Sequence, residues 1–93
     1  MLNLRDDIVL EKVCGVYVLV ALRSAWGTCP FALQIAPYAA YFWDAMREGK
    51  SSEEILEGAC LERGMDRKRA ERAYQMFLKA AEENHYLVKE SVE

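Results

Sequence analysis

Few side chains in this sequence could do covalent or metal chemistry. The three cysteines, Cys14, Cys29 and Cys60, are widely spaced with no C-x-x-C pair, and the only histidine is His85. That is poor material for a zinc site, and an odd number of thiols makes no disulfide framework. Buried thiols in a reducing cytoplasm are the expectation. His85, in "ENHYLV", reads as a helix-end or turn residue without a triad partner. There are no paired carboxylates in an apolar setting, no nucleophile beside a base and no Gly-rich phosphate loop. The expectation is a protein that is not an enzyme and needs no metal or cofactor. What remains is non-covalent chemistry: the hydrogen bonds of an open strand edge, apolar pockets, and the arginines of "DRKRAER".

The uncharged run in the middle of the chain directs attention to that edge. "CPFALQIAPYAAYFW", Cys29 to Trp43, has no charged side chain, and the run reaches back to Ser24. A bilayer span needs about 20 apolar residues. Here Gly27, Pro30, Gln34 and Pro37 break the run into a turn, a short apolar piece and a helix start, so no membrane association is expected. The N-terminus lacks a basic start followed by an apolar run, so no secretory signal is expected. The 93 residues are 53% hydrophobic and 29% charged, the balance of one globular domain spanning 1–93. Only three of the 12 basic and three of the 15 acidic side chains lie in residues 1–43. The second half therefore reads as exposed helix surface and the first as sheet.

Periodicity supplies the elements. "DIVLEKVC" is a β-branched strand with a solvated aspect, and Cys14-Gly15 a turn. "VYVLVALR", Val16 to Arg23, is apolar at every position but the last and suits a central strand covered on both faces. "FALQI", Phe31 to Ile35, alternates and makes the third strand of a meander. Pro37 then opens a helix with Tyr38, Tyr41, Phe42, Ala45 and Met46 at helical spacing, stopped at Gly49. Ser51 with Glu54 forms a capping box for a second helix with Ile55, Leu56, Ala59 and Cys60 as its buried stripe. Asp66 caps a third, running to about Glu83, with Ala70, Tyr74, Phe77, Leu78 and Ala81 inward. Leu87 and Val88 are a tail folding back. The fold class is α+β, a three-stranded antiparallel sheet (about 6–35) followed by three helices (about 37–84), winged helix-turn-helix-like.

Strand edges normally carry charge or proline as protection. The first strand has Arg5, Asp6, Asp7, Glu11 and Lys12 in or beside it; the third has only Pro30 at its entry. An edge left open accepts a peptide as a fourth strand, a covering loop, or a second copy of the chain. Backbone pairing alone does not hold a peptide. Some four or five hydrogen bonds at roughly 0.5–1.5 kcal/mol each fall short of the ~8 kcal/mol of micromolar binding once an association cost of ~4–15 kcal/mol is met. Side-chain pockets beside the edge must add the rest.

The segments "GVYVLVAL", "WGTCPFALQ", "FWDAMREGKSSEEI" and "RGMDRKRAERAYQMFLKAAEENHYL" occur in that order. Over roughly residues 5–88 the chain resembles the PqqD family, small domains that recognise leader peptides of ribosomally synthesised and post-translationally modified peptides. The family often has Leu-Asn-x-Thr/Ser after its third strand, where this chain has Leu33-Gln34-Ile35-Ala36. The resemblance implies a leader peptide added alongside Phe31, Ala32, Leu33, Gln34 and Ile35, against the third helix. On that helix Ala73 and Ala80 would leave room, Met76 would adapt to apolar anchors, and Arg69 or Arg72 would pair with acidic leader residues. It also implies a partner modifying enzyme such as a radical SAM enzyme, a cyclase or a peptidase.

Two other readings use the same features. A winged-helix shape with "DRKRAER" at a helix start suggests DNA binding, but the net charge is −3, and Glu62, Asp66 and Glu71 interleave the basic residues, so no nucleic acid is expected. A generic interaction module would use the apolar edge to form a homodimer.

Overall fold

The structure, a computed structural model, describes residues 2–89. In chain order the elements are β1 (Leu2–Leu4), β2 (Ile8–Val13), β3 (Val16–Ala21), β4 (Ala32–Ile35), α1 (Pro37–Arg47), α2 (Ser52–Glu62), α3 (Arg67–Glu83) and β5 (Leu87–Lys89). The expected α+β order is present: β2, β3 and β4 form an antiparallel meander with β3 in the centre, and three helices follow. The β2–β3 hairpin closes through Cys14 (φ 51°) and Gly15 (φ 82°). Positive φ at both central residues is the two-residue turn whose twist matches the flanking strands.

The helix boundaries follow local chemistry. Pro37 occupies the first position of α1. Ser51 and Glu54 make the reciprocal capping box of α2, and Asp66 accepts from the Lys68 amide at the start of α3. The tail does fold back, but as β5, which pairs antiparallel with β1 in a separate two-stranded ribbon. Three residues at each end are too short to announce a strand by alternation, and only the pairing makes them one.

Alternation sorts the meander into two faces. Ile8, Leu10, Leu19, Ala21, Leu33 and Ile35 join the core beneath the helices. Phe42 and Trp43 of α1 fill its centre, with Phe42 in ring contact with Tyr74 and Phe77 of α3 at 5.3 and 5.7 Å. The opposite face carries Val9, Val18 and Val20, half-buried, and Val13 and Val16, exposed. The central strand is therefore covered on one face only, contrary to the reading of its apolar run. That run reflects β-branched propensity as well as burial. The thiols need a similar correction: Cys29 is buried and Cys60 partly so, but Cys14 is exposed at the hairpin tip.

Candidate functional site

Strand β4 is an edge of the meander, because only β3 pairs with it. Which backbone groups it leaves open follows from the ladder phase. The Ala21 amide donates to the Phe31 carbonyl at 3.0 Å. Residues directly opposite alternate between bonded and non-bonded pairs along an antiparallel ladder. With the Leu19–Leu33 and Tyr17–Ile35 register, Phe31, Leu33 and Ile35 therefore face β3 with their N–H and C=O groups. Ala32 and Gln34 turn theirs outward. The other ladder agrees in phase: the Leu22 amide donates to the Asp7 carbonyl at 2.8 Å, which puts Val18 and Val20 in bonded pairs with β2. The strand proper begins at Ala32, one residue later than the sequence reading placed it, although the carbonyl of Phe31 still belongs to the ladder.

A groove of about 360 Å³ runs beside this edge. Leu33, Gln34 and Ile35 form one wall, and Met76 and Ala80 of α3 face them. Leu19, Phe77, Ala81 and Tyr86 lie beneath, and Ala36, Tyr38 and Ala39 close the end where β4 runs into α1. Asn84 lies where α3 ends, its amide Nδ2 donating to the Ala80 carbonyl at 2.9 Å. The lining holds no charged side chain. Small residues open this space: Ala80 and Ala39 stand where a leucine would fill it. Met76, 58% exposed, supplies a flexible apolar edge.

Five of the ten sequence-derived site residues thus line one groove: Leu33, Gln34, Ile35, Met76 and Ala80. Ala32 is exposed on the outward edge itself, and Phe31 stands beyond the groove, stacked on Trp26. Arg69, Arg72 and Ala73 do not line it. Ala73 packs against the core, and the two arginines are exposed nearer the start of α3. Arg72 continues the Met76–Ala80 row one turn further back, since positions four apart share a helix face. The ion pairs of this region run instead from Arg67, to Glu53 at 3.0 Å and Glu71 at 3.2 Å. Sequence reasoning missed Ala36, Tyr38, Ala39, Asn84 and Tyr86, and gave Leu19, Phe77 and Ala81 to the central strand or the core alone. Only Tyr38 and Tyr86 carried a signal, as aromatics flanking helix ends.

Titrating groups near the groove are few. Burial pushes the Tyr86 hydroxyl up to about 12, and that oxygen has no hydrogen-bond partner among the described residues. Burial likewise raises the Cys29 thiol, whose Sγ donates to the His85 carbonyl at 3.4 Å. Neither offers a nucleophile at neutral pH. Among the described residues no three His, Cys, Asp or Glu side chains gather as a metal site, and no helix is long and apolar enough to cross a membrane.

The fold has counterparts among solved structures. TbiB1 in complex with the TbiA(beta) leader peptide matches with a TM-score of 0.73 and 24% identity, over 97% of this chain and 99% of that one. A lasso peptide synthetase B1 complexed with the leader peptide matches with a TM-score of 0.74 and 22% identity, over 95% and 98%. The likeness at these identities is one of fold, and it spans nearly the whole of each chain. No protein-family model matches the sequence, and no curated protein does.

Proposed function

We propose that this chain is a non-catalytic adaptor that binds the leader region of a ribosomally made precursor peptide and presents the precursor to a modifying enzyme. The observation that carries the reading is the pairing of an uncharged open edge at β4 with an uncharged groove against α3. The outward N–H and C=O groups of Ala32 and Gln34 would pair with the guest backbone, and the groove would take its apolar side chains. The sequence resemblance to leader-binding domains and the shared fold with two leader-peptide complexes both support it. Arg72, and Arg69 beyond it, would meet acidic residues of a guest that continues along α3.

Blocking the groove tests this reading. Ala80→Arg places a long cationic side chain in the space opposite Leu33, at an exposed position where the fold tolerates it. Titration calorimetry with a synthetic leader peptide from a short open reading frame beside the coding sequence is expected to give micromolar binding for the wild type and none for the variant. Equal binding by both proteins would refute the proposed groove.

A further inference from the structure

The most exposed aromatic surface lies one step beyond the groove. Phe31 is 64% exposed and Trp26 49%, yet the two rings stack with centroids 5.0 Å apart at 26°. The pair is held in place. Trp26 Nε1 donates to the Ala21 carbonyl at 3.0 Å, and the Arg23 guanidinium sits over the indole at 5.9 Å from its centroid. The Phe31 carbonyl is fixed by the Ala21 amide at 3.0 Å. An exposed apolar pair held by three anchors is a preformed surface, and ordering it costs a ligand little.

Its position says what would use it. Phe31 shares the parity of Leu33 and Ile35, so by strand alternation it stands on the groove's side of the sheet, about 6.8 Å beyond Leu33. A guest strand along β4 that drops one side chain into the groove presents its next same-face residues toward Phe31. We propose that the Trp26–Phe31 stack is a second anchor for the leader peptide, taking an aromatic or large aliphatic side chain two or four residues from the one that fills the groove. This rests on the leader-binding reading and adds a spacing rule to it: two apolar residues an even number of positions apart.

The test is fluorescence anisotropy with the same synthetic leader peptide, labelled, against the wild type, Phe31→Ala, Phe31→Leu and Ala80→Arg, with an alanine scan of the peptide. Phe31→Ala is expected to weaken binding about 10-fold, with Phe31→Leu in between. One apolar peptide residue, at even spacing from the groove residue, should lose its own alanine effect in the Phe31→Ala protein. Circular dichroism checks that each variant stays folded. If Phe31→Ala binds as tightly as the wild type while Ala80→Arg does not bind, the second anchor is refuted and the groove stands. If neither substitution matters, both fall. A Phe31→Ala protein whose only change is a halved solution mass would make the stack a contact between copies, and would also overturn the proposal.

Discussion

Tyr86 is 2% exposed and packs edge-on against Trp43, while its hydroxyl is buried without a hydrogen-bond partner among the described residues. A buried hydroxyl left unpaired costs ~1–3 kcal/mol. Tyr86→Phe should therefore raise stability by about 1 kcal/mol in urea unfolding at pH 7. The same hydroxyl sets an alkaline limit. Its pKa is raised from 10 to about 12, so the neutral form is favoured in the folded state; stability is full below pH 10 and falls as the pH rises from 10 to 12. Unfolding midpoints across that range should drop more steeply for the wild type than for Tyr86→Phe. Asp7 sets the acid limit. The Arg5 guanidinium bonds both its oxygens at 2.9 Å and the Ser24 hydroxyl donates at 2.8 Å, which holds the carboxyl well below the usual carboxylate range. Protonation then costs the folded state, so stability present above pH ~4 is lost as the pH falls below it. Asp7→Asn should flatten that part of the acid unfolding profile. Neither environment was legible beforehand: Tyr86 is buried against Trp43 of a distant segment, and the Ser24 hydroxyl that joins Arg5 on Asp7 lies 17 residues away.

The elements themselves were largely legible, for identifiable reasons. Ser51, Asp66 and Pro37 mark helix starts by chemistry confined to a few residues, and the stripe from Ala70 to Ala81 declares one buried face. The β1–β5 ribbon and the bare outer face of the sheet were not, because pairing and cover are properties of the assembled chain. The β4 ladder phase gives a sharp contrast between neighbours. The Gln34 amide faces outward, so Gln34→Pro should leave the meander intact, as proline is tolerated on an edge, while weakening peptide binding about 10-fold. The Leu33 amide faces β3, so Leu33→Pro should unfold the sheet. Proton–nitrogen correlation spectra and a binding titration separate the two. Between α1 and α2 the packing depends on Gly58, where an added Cβ would collide with the Tyr41 hydroxyl. Gly58→Ala should cost ~1–3 kcal/mol, and Tyr41→Phe in the same protein should recover most of it.

At the scale of the molecule, core and groove share one construction. Phe77 contacts Phe42 in the core and also lines the groove, and Leu19 and Leu33 of the sheet line it from below and from its wall. The groove is the margin of the core that no segment among residues 2–89 covers. Five of its thirteen lining residues, Leu33, Gln34, Ile35, Met76 and Ala80, were readable because they follow one another on one strand or share one helix row. Asn84 and Tyr86 were not, since they follow the helix end and enter only when the tail folds back. The decisive measurement is an NMR titration of the isotope-labelled chain with the leader peptide from the neighbouring open reading frame. Saturable shifts confined to Ala32–Ile35 and to residues 76–84, strongest at the outward amides of Ala32 and Gln34, are the expected result. A folded chain and a credible leader with no shifts along β4 would contradict the adaptor reading.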